Sequence, residues 1–466
     1  MVSKSKRVIA LLLTAMMASA ALTGCGGGNE GSEDKKSTSG GDTDASAELS
    51  VYDMNDAGTI DTIKTAIADE AKANGGTVAL ELWCAGDDLE LEKSLVKEFK
   101  KKYADDRYKF DIKINTAYGE DKAGQKIVEN PQEGADVFNF ADDQLSSLVQ
   151  ANAIAEISPL FQGNVVADNT DDSVKVCELG GKPYGFPKTS DNGFFLYYDK
   201  RIYKSEDDVK ELDKMIETAA ANKKNVFMSL GNGWYSAGFF FAADKDIFSY
   251  DAATKKQKAN FNSDAGFAAA KAMCHVSEKD GKGFIGSPGT QGENVYVQAG
   301  FEDGSLAAAV IGTWMGPQIK KSIGADNVGA AKMPTALIDG KQVQLHSFGG
   351  YKVVGVNAFS KYKVAAQTLA YYLTCSDSQL KRYKERGLIP TNKTSLEDKE
   401  VQADPARKAI EAQKEFAHAQ GTSVSSKFWS SNVGGFGGQI VTKKGGFSDA
   451  ELKQQLKDIQ NQIEKD

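Results

Sequence analysis

Apolar and polar positions change period repeatedly along this chain. In residues 57–73, Ile60, Ile63, Ala66, Ile67 and Ala71 recur near a 3.6-residue spacing, which predicts a helix. TVALELW (77–83) reads as a strand. GDD (86–88) then forms a turn and helix start, with Leu91, Leu95 and Phe99 on the apolar side of the helix. YKFDIKIN (108–115) alternates with a period of two, and residues 120–130 read as helical. ADVFNF is a short buried strand ending at Phe140, and a helix runs through Leu145 and Leu148. Strand and helix alternating in this way predict βα units on a largely parallel sheet, an α/β fold.

The second half continues the alternation. GGKPYGFPKTS (180–190) reads as a turn-rich break and NGFFLYYDK (192–200) as a strand. Residues 206–221 form an amphipathic helix, and GNGWYSAGFFFAA (231–243) is a Gly-rich turn leading into an apolar helix. Further helices are predicted over 262–277 and 293–302. LAAAVIG (306–312) is a buried strand, TWMGPQIKKSI opens a helix, and NVGAAKMP (327–334) is a strand ending at Pro334. SFGGYKVVGVNAFS (347–360) is strand-like with a glycine pair, followed by a helix over 361–374 and a turn at RGLIPTN (386–392). Residues 405–419 and 448–464 close the chain as helices. No internal repeat of fixed period is visible.

The start of the chain has a different character. Lys4, Lys6 and Arg7 precede an apolar run from Val8 to Leu22, the layout of a secretory signal. The run is about 15 residues, short of the roughly 20 that a membrane-crossing helix needs, so cleavage is expected over a retained span. Leu22-Thr23-Gly24-Cys25 resembles the lipobox of bacterial lipoproteins. That resemblance implies cleavage before Cys25 and a diacylglycerol on its sulfur; the alternative is an ordinary signal with an incidental cysteine. Residues 25–50 are rich in Gly, Ser and Asp and nearly free of apolar side chains, the composition of a flexible linker. Residues 51–75 form an extra helical segment ahead of a domain that starts near Gly76.

Composition narrows the function. The chain has 466 residues and a net charge of −8, which argues against a nucleic-acid partner because phosphate binding calls for a basic footprint. Its length suits two or three domains. Cys84, Cys177, Cys274 and Cys375 form no C-x-x-C pair and carry no metal-site spacing. They are expected to be mostly buried free thiols, although three disulfide connectivities remain open. His275, His346 and His418 sit in no ligand or triad pattern, and there is neither G-x-S-x-G nor a phosphate loop. No cofactor or metal is called for.

The order of motifs is where a resemblance enters. LWCAGDD, GADVFNFADDQLSSLVQANAIAEISPL, GKPYGFPKTSDNGFFLYYDK, VIGTWMGP, FGGYKVVGVNAFS, LIPTN and FWSSN follow one another over residues 77–464. In this order and spacing the chain resembles the extracellular solute-binding proteins of bacterial ABC importers, and within them the maltose/maltodextrin-binding family. The resemblance implies a two-lobe α/β fold of the periplasmic-binding-protein type, with three hinge crossings and a ligand cleft. The crossings are expected near 188–192, 348–354 and 387–392. Residues 76–189 and 354–388 then make the N-terminal lobe, and 190–348 and 391–466 the C-terminal lobe. It also implies a monomeric, non-enzymatic receptor on the outer face of a cell membrane, with an oligosaccharide ligand and permease subunits as partners. Closure of the two lobes would capture the sugar. A receptor for a non-carbohydrate solute, or a secreted glycoside hydrolase with two carboxylates across the sugar, are the alternatives.

A sugar presents hydroxyls at its rim and an apolar C–H face. A site for it needs aromatic rings for the face and fixed polar groups for the rim. The resemblance points to Trp314 in GTWMGP and Trp429 in FWSSN as stacking residues, each with a core position as the alternative. Asn232, Trp234 and Tyr235 lie on the Gly-rich turn, and Phe140 is either a contact or core. Asp87 and Asp88 are hydroxyl binders or helix caps. Asp143 matches the family's sugar-binding carboxylate; Gln144 stands where the family often has Arg. Asp191 or Asn192 matches a further acidic contact, and Tyr351 follows the glycine pair. Trp83 ends a strand and reads as core.

Overall fold

The structure is a computed structural model that describes residues 49–251 and 254–464. The signal segment, Cys25 and nearly all of the linker lie outside the described residues. The chain divides into two compact units. The first holds the segments ending at Asn139, Leu148–Pro187 and Val354–Cys375; the second holds Phe140–Ser147, Lys188–Val353 and the chain from Ser376 onward.

The first unit is built on a five-stranded sheet in the order Lys109–Asn115, Thr77–Trp83, Val137–Ala141, Lys352–Val356, Gly185–Thr189. The first three run parallel, as the βα alternation predicts. Leu82, Val137 and Val354 from the sheet pack with Phe99 and Leu369 from the helices Leu89–Lys102 and Lys363–Thr374. The predicted extra helix is Ala57–Ala73, and it is integral to this core, with Ile63, Ile67 and Ala71 wholly buried. Its Glu70 carboxylate accepts the backbone N–H groups of Val364 (2.9 Å) and Ala365 (3.1 Å) at the start of the 363–374 helix. Anions are favoured at a helix N-terminus, where backbone donors have no partner within the helix.

The second unit has its own five-stranded sheet, ordered Phe284–Ile285, Asn225–Phe227, Leu306–Ile311, Phe195–Asp199, Val328–Ala331. Leu306–Ile311 is buried at every position, as its unbroken apolar run predicts. It pairs in parallel with Asn225–Phe227 and antiparallel with Phe195–Asp199. Phe239, Phe240 and Phe241 of the helix Gly233–Ala243 fill the core beside it.

Several expectations need correction. The stretch read as a turn-rich break contains the fully buried strand Gly185–Thr189. Its Pro187 lacks an N–H, and the strand accommodates it at the sheet's edge. Residues 347–360 are two strands, Ser347–Gly349 and Lys352–Val356, rather than one. The helix predicted over 405–419 ends at Gln413, and Ala417–Ala419 pairs in parallel with Ser347–Gly349. Helix 206–221 is a short 3-10 turn, Glu206–Val209, followed by Leu212–Ala221. Among the described residues Cys84, Cys177, Cys274 and Cys375 form no disulfide, and the first three are buried, as expected.

Candidate functional site

One local device recurs at the candidate positions. A strand ends, a single 3-10 turn follows, and a helix begins. Thr77–Trp83 leads through Gly86–Asp88 into Leu89–Lys102. Val137–Ala141 leads through Asp142–Gln144 into Leu145–Gln150, and Leu306–Ile311 through Thr313–Met315 into Gly316–Ile323. The carboxyl ends of strands are where α/β folds hold their ligands. The turn holds its polar residues at the start of a helix with little chain between strand and helix.

Asp87 and Asp88 belong to the first unit, and the other candidates to segments of the second. Asp87 is exposed. Asp88 is 2% exposed and stands at the N-cap position of its helix, although its side chain makes no capping hydrogen bond. Phe140 is wholly buried, in keeping with its core alternative. Trp83 is buried too; its indole donates to Glu81 at 2.7 Å and its ring lies 4.7 Å from Tyr118.

In the second unit, three aromatic candidates meet. The ring of Trp234 is 6.0 Å from Trp314 and 5.0 Å from Tyr235, and Phe194 closes on it edge-on at 4.8 Å. Trp234 and Trp314 are half-buried, whereas Tyr235 is buried. Each indole N–H is held: Trp314 Nε1 donates to Asn294 Oδ1 at 2.9 Å, and Trp234 Nε1 to Gln420 Oε1 at 3.1 Å. Asn232 caps the Gly233–Ala243 helix by accepting from Trp234 N at 3.0 Å, and its amide donates to Glu293 at 3.1 Å. Glu293 also accepts from Ser229 at 3.0 Å. Asn232 and Glu293 line a cavity of about 420 Å³ with Phe428, Trp429 and the glycines 231, 233, 434 and 435. Trp429 is 40% exposed, its ring 5.6 Å from Phe348.

The acidic candidates form a second cluster of this unit. Asp142 Oδ1 accepts from Tyr351 N at 3.2 Å, and Asp142 N donates back to Tyr351 O at 3.1 Å. This reciprocal pair breaks the 347–360 run. A β-carbon at Gly350 would lie 2.6 Å from Asp142 Oδ1, so any larger residue there would have to displace this carboxylate. Asn192 N donates to Gly350 O at 3.2 Å. Asp191 is buried and accepts from Thr313 Oγ1 at 2.9 Å, which ties it to the Trp314 turn. Asp143 accepts from Gln420 Nε2 at 3.3 Å through Oδ2; its Oδ1 is buried without a hydrogen-bond partner. Gln144, beside it, is partly exposed.

Burial pushes both neighbouring carboxyls up. Asp142 is raised to about 6 by burial, offset by the Tyr351 N–H. Asp143 is raised to about 7 by burial and by the negative charge of Asp142, with Lys352 and Gln420 opposing. The negative charge of Asp142 thus adds to burial in favouring the protonated form of Asp143. Among the described residues no cluster of three or more His, Cys, Asp or Glu side chains has the geometry to hold a metal ion.

Gln420, Glu293 and Asn294 were not legible as site residues. Gln420 falls one residue past the helix wrongly extended to 419. One signal was present: Gly421 follows it, and a Cβ there would lie 3.1 Å from Asp143 Cα.

Residues 94–409 match the family of bacterial extracellular solute-binding proteins. The chain belongs to this family. It is 28% identical over 295 residues to a galactooligosaccharide-binding protein of Bacillus subtilis, covering 61% of this chain and 66% of that one. It is 27% identical over 340 residues to a maltooligosaccharide ABC transporter solute-binding lipoprotein of Streptococcus pneumoniae, covering 70% of this chain and 75% of that one. A ligand-free maltodextrin-binding protein of L. casei superposes with a TM-score of 0.67 at 25% identity, covering 84% of this chain and all of that one. The two-lobe α/β architecture of solute-binding proteins is thereby that of this chain.

Proposed function

We propose that this chain is the oligosaccharide-capturing receptor of an ABC importer, anchored through Cys25 to the outer face of the cell membrane. The observation that carries the sugar reading is the pairing of Trp234 and Trp314, 6.0 Å apart, with polar and acidic groups of the same unit. Indole rings cover a pyranose C–H face at little entropic cost. Carboxylates and amides meet its hydroxyls, and charged acceptors make the stronger hydrogen bonds. The relatives' names support the same class, since one is called a galactooligosaccharide binder and another a maltooligosaccharide transporter lipoprotein.

In this reading the protein performs no bond cleavage. It captures the sugar and delivers it to permease subunits. The two relatives differ in the sugar they are named for, so titration has to include both. Calorimetry of the purified protein with maltotriose and with a galactooligosaccharide is expected to give saturable heat for one of them, with no shortening of the sugar on chromatography. Trp314→Ala is expected to weaken that binding by at least tenfold, the scale of losing roughly 1.4 kcal/mol or more of aromatic contact. Absence of binding to either sugar, or release of shorter products, overturns the proposal.

A further inference from the structure

Gln420 lies outside every motif that carries the family resemblance, yet it joins the two halves of the site. It opens the short helix Gln420–Ser423, directly after the strand Ala417–Ala419. That strand is held by parallel pairing to Ser347–Gly349 and by a hydrogen bond of 2.7 Å between His418 and His346. His418 also stacks on Phe241 at 3.8 Å with the two rings nearly parallel. The backbone that presents Gln420 is therefore fixed on both flanks. On the far side Gly421 lies against Asp143, where a β-carbon would sit 3.1 Å from Asp143 Cα and the neighbour would have to give by a few tenths of an ångström.

From this position the side-chain amide makes two bonds of opposite sense. Nε2 donates to Asp143 Oδ2 at 3.3 Å, and Oε1 accepts from Trp234 Nε1 at 3.1 Å. A carboxylate needs a donor and an indole needs an acceptor, and a primary amide supplies both in one plane. Glutamate would supply only acceptors when ionised and would set a third carboxylate beside Asp142 and Asp143. Methionine would have similar reach and neither bond. With Oδ2 taken by Gln420, the oxygen of Asp143 left over is Oδ1, buried and without a partner.

We infer that Gln420 is a positioning residue for sugar recognition: its amide locks the Asp143 carboxylate and the Trp234 indole into one fixed relation. Oδ1 is thereby turned to a ligand hydroxyl while the ring meets the sugar's C–H face. The inference rests on the sugar-receptor reading. It adds to it that acid and aromatic act as one unit, so a ligand is selected by the spacing between its C–H face and one equatorial or axial hydroxyl. Sugars that differ only in the direction of that hydroxyl are told apart by the rigidity of the bridge.

The test uses Gln420→Met, Gln420→Asn and Trp234→Phe, singly and as the Met/Phe double variant, in the full chain. Calorimetry with the sugar that the wild type binds is expected to give a loss on the order of tenfold for Gln420→Met, the scale of one hydrogen bond to a charged group. Trp234→Phe removes the donor and is expected to weaken binding as well. The double variant is expected to bind no more weakly than the worse single variant, because both remove the same link. Gln420→Asn, with the right chemistry and too short a reach, should not restore affinity. A fold defect is read separately from the melting temperature, which the link alone should leave within a few degrees.

A second readout needs no sugar. The indole N–H resonance of Trp234 is expected to shift with the titration of Asp143 in the wild type and to lose that shift in Gln420→Met. If the wild type binds neither sugar, the receptor reading falls while this resonance still reports on the bridge. If the wild type binds and Gln420→Met binds equally well, or the two single effects simply add, the positioning role falls and the receptor reading stands.

Discussion

Asp143 is the residue whose chemistry is most exposed to test. Its carboxyl is held at about 7, far above the usual carboxylate range, by burial first and by Asp142 second. A raised carboxyl favours the protonated form in the folded chain. Its stabilising effect is complete below the ordinary value near 4 and is lost as pH rises through about 7. Relative to Asp143→Asn, the wild type is therefore expected to lose stability between pH 4 and 7, by up to roughly 1.4 kcal/mol per pH unit. Denaturant melts of both proteins at several pH values measure this, and parallel pH profiles would refute it. Ligand binding should run the other way: a sugar hydroxyl donates best to the ionised acid, so affinity should rise toward pH 8 in the wild type and stay flat in the variant. At this scale the sequence was partly legible. Asp143 and Trp314 stood out through the motifs that carry the family resemblance, and Trp234 through its place on a Gly-rich turn. Gln420 and Glu293 did not, because a glutamine or glutamate on its own has no preferred reading. Their roles come from partners in distant parts of the chain: Asp143 for Gln420, and Ser229 and Asn232 for Glu293.

Elements with a strong period were readable, and those defined by their neighbours were not. The helix Ala57–Ala73 and the strand Thr77–Trp83 fall where the spacing of apolar residues places them. The polar helix Ser376–Arg386 gives little periodic signal, and the edge strand Gly185–Thr189 hides behind Gly185 and Pro187. The hairpins Phe248–Asp251 with Lys256–Ala259, and Thr335–Ile338 with Lys341–Gln344, are short and mostly polar, so alternation gives little signal there either. The extra segment ahead of the first strand was legible as a helix but not as part of the core. Its attachment can be broken at one glycine. Gly163 sits in the helix Pro159–Asp168, and a β-carbon there would lie 2.1 Å from the Ser50 carbonyl oxygen. Beside it, Tyr52 N donates to Asn164 Oδ1 at 3.0 Å and Asn164 Nδ2 donates to Tyr52 O at 2.8 Å. Gly163→Ala is expected to displace Ser50–Tyr52 and cost about 1–3 kcal/mol through the lost pair. Hydrogen exchange should speed up at Tyr52 while the core of the Ala57–Ala73 helix stays protected. Unchanged exchange at Tyr52 would mean that the backbone yields there without cost.

For the whole molecule, the order of motifs told more than any one of them. Seven unspecific stretches in sequence pointed to the family to which residues 94–409 belong. How the chain distributes itself between the units was harder to read, because the short Phe140–Ser147 excursion places Asp143 with the second unit while its strand begins in the first. None of the described helices is long and apolar enough to cross a bilayer; in the proposed reading the anchor is the lipobox-like Leu22-Thr23-Gly24-Cys25. Between Cys25 and the docked Ser50–Tyr52 segment lie about 25 residues of Gly/Ser/Asp-rich chain, with an r.m.s. span of roughly 25–30 Å if flexible. In the proposed reading, a tether of that reach would confine the receptor to a thin shell above the membrane and raise its effective concentration at a permease. One acyl chain holds a protein only marginally, whereas the two of a diacylglycerol hold it firmly. Cys25→Ala is therefore expected to move the protein from the membrane fraction into the medium while its sugar titration stays as in the wild type. Cells relying on this receptor should then lose uptake at low sugar concentration and regain it at high concentration, since capture is intact and only proximity is lost. Retention of the Cys25→Ala protein in the membrane fraction would show that something other than Cys25 anchors it.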